Sequence, residues 1–167
     1  MPFSNFQEIS KVLSNPSWDL IAIFIFIAAG FFYGLVSGRR YLVSVLISTY
    51  ISAFVFENFR FLDFLAKDRS IMEVFLIRAA SFFVILVLVS FGISRLVRRD
   101  FDVKIWWQIF LLAFLEVGLL MSLMFQFLPA RALFTFSPVV ENIFAGEAAF
   151  FWWLVGPLFA LWVINLP

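Results

Sequence analysis

Cysteine and histidine are both absent from this chain of 167 residues. Without cysteine there is no disulfide framework, no thiolate chemistry and no Cys-ligated metal. Without histidine, the usual general base and metal ligand, and the side chain that titrates near neutral pH, are missing as well. We therefore expect no metal site and no cofactor. An enzyme with this sequence would have to rely on carboxylates, Arg, Lys, Tyr or Ser.

Charge is also scarce. Charged residues make up 14% of the chain and apolar residues 64%, whereas a soluble domain has about 25% and about 45–50%. Lys+Arg (12) and Asp+Glu (11) nearly cancel, so there is no basic field to attract nucleic acid. An apolar core of this size would need a polar shell that the sequence does not provide. The sequence thus indicates a protein whose solvent is the lipid bilayer.

Five long apolar runs are separated by short links. At about 1.5 Å per residue, such runs can cross a hydrocarbon core of about 30 Å. We predict spans at residues 18–36, 41–56, 71–94, 105–128 and 148–164. The last contains Gly156-Pro157, which bends a helix and frees a carbonyl, so four spans plus a kinked or partly re-entrant segment is the alternative. The predicted fold is all-α: a polytopic bundle of four to five transmembrane helices, in one domain over residues 18–167.

Amphipathic segments accompany the spans. Residues 1–17 predict an N-terminal helix that lies in the membrane interface rather than crossing it. Residues 57–69 mix charges with Leu62 and Leu65 at helical spacing. This pattern favours a second interfacial helix over a solvated loop.

Capping signals mark two further helix starts. Ser70 and Glu73 form a capping box at the head of the third span. Ser137 as N-cap, Pro138 at the first helical position and Gly146 at the end predict a short helix between the fourth and fifth spans. These signals place short helices outside the long apolar runs.

Small residues recur at every fourth position on both sides of the first turn. They are Gly30, Gly34 and Gly38 in and after the first span, and Ser44, Ser48 and Ser52 in the second. Small side chains let two helices approach closely, and serine hydroxyls can bond between helices. An antiparallel hairpin would bring Gly34 and Gly38 against the first two serines. Helix packing is the first interpretation, and a narrow polar seam for a small solute or ion is the alternative.

Two ionisable residues fall well inside apolar spans, Arg78 in the third and Glu116 in the fourth. Such residues face the protein interior, pair with each other or snorkel to the surface. Counted from the link that joins the two spans, their depths differ by roughly 9 Å. We therefore consider three interpretations. In the first, Arg78 and Glu116 form a structural ion pair. In the second, they act independently, with Arg78 reaching the membrane surface and Glu116 protonated. The third interpretation is a proton or ion relay that uses both residues.

Basic residues concentrate in two links that lie on the same side of a five-span protein. One link holds Arg39 and Arg40, and the other holds Arg95, Arg98, Arg99 and Lys104. The positive-inside rule places that side in the cytoplasm and the N-terminus outside. The remaining carboxylates, such as Asp19, Glu141 and Glu147, lie at span edges or in links and form no catalytic pair in the sequence.

The first hairpin resembles the opening of the colicin V production protein family. The resemblance covers Trp18 to about Glu57 and is carried by Asp19, Gly30, Gly34, Gly38 and Arg39. Beyond this region it rests on hydropathy layout and on Gly118. The resemblance implies a small bacterial inner-membrane protein, usually of four helices, associated with colicin V production or export and with envelope upkeep. No enzymatic activity is implied, and the five positions are expected to act as structural determinants.

Two functional hypotheses follow. The first is a non-enzymatic protein of the bacterial plasma membrane that acts in envelope upkeep or export. Its partners would be lipid and, through helix–helix association, further copies of itself or other envelope membrane proteins. The second is a small channel or proton-coupled transporter that uses Arg78 and Glu116.

Overall fold

The computed structural model describes residues 17–59, 61–96 and 106–164. Throughout these ranges the regular secondary structure is helical, in eight helices. The helices are α1 (Trp18–Ser37), α2 (Arg39–Glu57), α3 (Phe61–Ala66), α4 (Ile71–Leu96), α5 (Trp106–Phe127), α6 (Ala130–Leu133), α7 (Pro138–Phe144) and α8 (Glu147–Ile164). The predicted N-terminal helix over residues 1–17 lies outside the described residues except for Ser17.

The prediction of an all-α transmembrane architecture is confirmed. Helices α1, α2, α4, α5 and α8 are each long and apolar enough to cross a membrane. Their bounds lie within two residues of the predicted spans because apolar length and flanking turn residues set both ends. Helix α8 runs without interruption from Glu147 to Ile164 and holds Pro157 inside it, so its length suffices for a full span.

Helix α5 occupies the centre of the bundle. It packs against α1, α2 and α8, while α4 packs mainly against α2 on the far side of the bundle. The buried side chains of the main core come largely from α2 and α5. They are Leu42, Leu46, Ala53, Ile109, Leu112, Leu119, Leu123 and Ile164. Most other large apolar side chains point outward, as expected where lipid rather than water surrounds the helices.

The glycine stripe of α1 faces α5 rather than the serines of α2. A Cβ atom at Gly34 would lie 2.5 Å from Cδ1 of Leu42 in α2 and 2.7 Å from Cγ2 of Ile109 in α5, and one at Gly30 would lie 3.5 Å from Cβ of Ala113 in α5. The third glycine, Gly38, adopts φ 92° between α1 and α2, a conformation that favours glycine. The predicted close approach therefore occurs, against Leu42 of α2 rather than its serines, and α5 is a second partner.

The capping signals are confirmed. The hydroxyl of Ser70 accepts a hydrogen bond from the backbone N–H of Glu73, and the Glu73 carboxylate accepts one from the backbone N–H of Ser70 at 2.9 Å. The hydroxyl of Ser137 accepts from the backbone N–H of Val140 at the start of α7. The predicted helix within residues 57–69 is also present as α3. Local hydrogen bonds from Ser70 and Ser137 thus fix where α4 and α7 begin.

Candidate functional site at the centre of the bundle

Glu116 lies at the middle of α5 and is 7% exposed. Its position follows from the fold, since α5 is enclosed by three other long helices. The carboxyl atom Oε1 lies 2.6 Å from the hydroxyl of Thr49 on α2. The other oxygen, Oε2, is buried and has no hydrogen-bond partner among the described residues. Buried polar atoms normally have a partner, and a carboxyl oxygen is costly to bury without one, so this group is the candidate site.

Helix α2 contributes two neighbouring hydroxyl groups to this region. The Thr49 hydroxyl is fully buried and also lies 3.1 Å from the carbonyl oxygen of Val45, one turn earlier in α2. The Tyr50 hydroxyl donates to the carbonyl oxygen of Leu154 in α8 at 2.6 Å. Thr49 and Tyr50 therefore link α2 to two different helices, α5 and α8, at nearly the same depth.

The Tyr50 contact falls in the turn of α8 that precedes Pro157. Proline has no backbone N–H, so Pro157 leaves the carbonyl group of Trp153 without its usual helical donor. Tyr50 bonds the next carbonyl, that of Leu154. The Gly156-Pro157 signal was predicted to kink the last segment, and the structure places it beside a side-chain hydrogen bond that supports the helix there.

Arg78 and Glu116 have different partners in the structure. Nη1 of Arg78 donates to the carbonyl oxygen of Phe127 at the C-terminal end of α5 at 3.3 Å. Eleven residues of helix separate Phe127 from Glu116, which is about 16 Å along the axis. In addition, α4 packs mainly against α2 and meets α5 near the C-terminal end of α5. These contacts of Arg78 and Glu116 are therefore made at different depths of α5.

The serine stripe of α2 is buried but makes no hydrogen bond to another helix among the described residues. Ser44 and Ser48 donate to backbone carbonyl oxygens one turn earlier in α2, and Ser52 Oγ has no hydrogen-bond partner there. At 100° per residue, the serines lie on a stripe beside the one that carries Thr49 toward α5.

Asp19 joins the first helix to the segment before α7, a contact that sequence reasoning did not identify. It is 2% exposed, and its Oδ2 accepts from the backbone N–H of Ser137 at 2.6 Å. Beside it, Nε1 of Trp18 donates to the carbonyl oxygen of Thr135 at 3.3 Å. At the opposite end of the bundle, Nη1 of Arg39 donates to Oε1 of Gln108 at 2.7 Å. Acidic and basic residues thus fasten both ends of the bundle.

Gly118 lies where the side chain of Trp153 from α8 packs directly on the backbone of α5. A Cβ atom there would overlap the indole ring of Trp153. Nε1 of Trp153 donates to the carbonyl oxygen of Ile143 at 2.9 Å, and its ring stacks on Phe144 at 5.2 Å between centroids. The sequence offered two signals, a lone glycine in the fourth span and a Trp-Trp pair in the fifth, but nothing that joined them.

Within the described ranges, no cluster of three or more acidic residues is arranged to hold a metal ion. The polar groups described above instead join helices to one another. Comparison with protein-family models, with curated proteins and with solved structures gave no match. The fold and its central site define an all-α integral membrane protein with a buried carboxyl group between α2 and α5.

Proposed function

We propose that this chain is a non-enzymatic protein of the colicin V production type, which acts in envelope upkeep or export in the bacterial plasma membrane. The observation that carries the proposal is the use of the five positions of the family resemblance. Gly30 and Gly34 seat α1 on α5, Gly38 forms the turn, and Asp19 and Arg39 make polar contacts at opposite ends of the bundle. The resemblance thus coincides with residues that hold the bundle together.

The proposed mode of action is helix-mediated association with further copies or with other envelope membrane proteins. Because Gly30 and Gly34 are used inside the subunit, association must use surfaces that remain exposed. Helix α4 supplies such a surface, since none of its most apolar stretch is buried, the lowest share among the five long helices. Its large exposed side chains are Ile71, Met72, Leu76, Phe83, Val84, Val87, Leu88 and Phe91. With Arg39 and Arg40 on the cytoplasmic side, the N-terminus lies outside.

Because the chain contains no cysteine, a single introduced thiol can report association by forming a disulfide between chains. A Leu88→Cys variant places one thiol on the outer face of α4, and a Phe24→Cys variant places one on the outer face of α1; both positions are well exposed. Mild oxidation in native membranes should link the Leu88→Cys chains into dimers or to a partner, and leave the Phe24→Cys chains single. If neither variant is linked, association through α4 is contradicted.

The physiological part of the proposal has its own test. Deletion of the gene should make the envelope more sensitive to detergent, and the wild-type protein should restore resistance. A Gly34→Leu variant should fail to restore it, because the larger side chain would force α1 away from Leu42 and Ile109. Unchanged resistance after deletion would contradict a role in envelope upkeep.

A second candidate function is a proton-coupled carrier or small channel centred on Glu116. It is favoured by the Oε2 atom that lacks a hydrogen-bond partner, since ionisable residues inside a membrane mark transport pathways in many proteins. Arg78 does not take part in this version, because it contacts the carbonyl of Phe127.

Proteoliposomes test this candidate. Purified protein should carry protons across the membrane when a potential is applied, and Glu116→Gln should abolish the flux. Glu141→Gln, which alters an exposed carboxylate on α7, serves as the matched control and should leave the flux intact. This function would be excluded if liposomes with the wild-type protein showed no proton flux, or if the Glu116→Gln variant retained the flux.

A further inference from the structure

We infer that Glu116 is a proton-binding site: its carboxyl group is neutral and donates a hydrogen bond to Thr49, whose own hydroxyl donates to the carbonyl of Val45. This two-bond chain fastens the central helix α5 to α2. The inference goes beyond the proposed role in association. It also requires no proton flux across the membrane, so its test is independent of the test for the transport candidate.

The number of hydrogens is the first argument. The Thr49 oxygen lies 2.6 Å from Glu116 Oε1 and 3.1 Å from the Val45 carbonyl oxygen. A threonine hydroxyl carries one hydrogen but can accept two further bonds. With an ionised Glu116, that single hydrogen would have to serve two acceptors. With a protonated Glu116, the carboxyl O–H donates to Thr49 and the Thr49 O–H donates to Val45, so both contacts are hydrogen bonds.

The second argument concerns the other oxygen of the same carboxyl group, which has no hydrogen-bond donor. Oε2 of Glu116 is buried without a donor among the described residues. In a carboxylate this atom would carry a large share of a negative charge, which is costly to bury without a partner. In a neutral acid it is a carbonyl oxygen, for which a missing donor costs far less.

The third argument is the absence of a compensating cation near the site within the described ranges. Tyr50, the residue after Thr49 on α2, carries no positive charge, and its hydroxyl donates to the carbonyl oxygen of Leu154. The charged residues of the helices around α5 lie toward their ends: Asp19 on α1, Arg39, Arg40 and Glu57 on α2, and Glu147 on α8. Arg78 is directed to Phe127. A neutral carboxyl group therefore suits this apolar centre better than a buried charge.

Infrared spectroscopy of the protein in lipid vesicles at neutral pH tests the inference. A protonated carboxyl group gives a C=O stretching band that a carboxylate lacks. We expect such a band in the wild-type spectrum, its loss in Glu116→Gln, and its retention in Glu141→Gln. In Thr49→Val the band should shift, because the hydrogen bond from the acid is removed.

The shift in Thr49→Val assigns the band even if Glu116→Gln does not fold. Because the group is buried, the band should also move only slowly when H2O is replaced by D2O. A wild-type spectrum with no protonated carboxyl band would overturn the inference, as would a band that neither Glu116→Gln nor Thr49→Val changes. Either result is independent of whether α4 mediates association.

Discussion

Helices α5 and α4 are both long and apolar, yet they occupy opposite environments. Of the most apolar stretch of each helix, 56% of residues in α5 are buried and 0% in α4. Both helices contain small and polar residues, and the difference lies in the contacts that these residues make. Helix α5 carries Gln108, Glu116, Gly118 and Ser122 toward other helices, whereas α4 presents a broad apolar face outward. Hydropathy shows that a helix belongs in the membrane; its polar and small residues show where it lies in the bundle.

The largest expected effect is a difference in unfolding free energy between two leucine-to-alanine substitutions, one in α5 and one in α4. Leu119 is 0% exposed and Leu88 is 66% exposed. Leu119→Ala should lower the free energy of unfolding by about 2–5 kcal/mol, because it leaves a cavity in the core. Leu88→Ala should change it by less than about 0.5 kcal/mol. Unfolding in mixed micelles, followed by circular dichroism, measures both. Equal losses would refute the central position of α5.

A smaller effect separates two glycines. Gly118→Ala places a methyl group into the indole ring of Trp153, whereas Gly92→Ala in α4 meets no atom within 4 Å. The first should destabilise the protein by about 1–3 kcal/mol through overpacking. The second should be neutral or should stabilise it by up to about 1 kcal/mol through helix propensity. Thermal unfolding of the two variants measures this difference. A Gly118→Ala protein as stable as the wild type would show that Trp153 of α8 does not pack on Gly118.

The smallest effect concerns the start of α4. Ser70→Ala removes the hydroxyl that accepts from the N–H of Glu73, so the first turn of α4 should fray. Hydrogen exchange of the amides of residues 71–74 should accelerate, with little change in global unfolding. The control is Ser94→Ala near the other end of the helix, where the hydroxyl only donates to the carbonyl of Phe91. Unchanged exchange in Ser70→Ala would show that the cap is dispensable.

Much of the helix layout could be predicted from the sequence because local forces determine it. The apolar run from Trp18 ends at the glycine-containing turn, and α1 ends there as well. Ser70 and Ser137 act as N-caps because their hydroxyls reach backbone N–H groups three residues ahead. Such signals depend on residues a few positions apart, so they do not require knowledge of the bundle.

Neighbours across the bundle could not be predicted in the same way. Gly34 was expected against the serines of α2 but meets Leu42 of α2 and Ile109 of α5, because hydropathy gives the depth of a residue and not the direction in which it points. The estimate that placed Arg78 near Glu116 had the same weakness, since it counted depth along each helix from their shared link, whereas Arg78 contacts α5 at Phe127. Thr49, the actual contact of Glu116, carried no signal beyond its place in an apolar span.

The indole of Trp153 has a consequence for how the protein is made. The groove over Gly118 that receives this ring lies on α5, while the ring arrives on α8, after α6 and α7 have been synthesised. The contact between Gly118 and Trp153 therefore cannot form until α8 has been synthesised. The pairing of α2 with α5 through Thr49 and Glu116 has no such requirement, so docking of α8 is the later of the two steps in the order of synthesis.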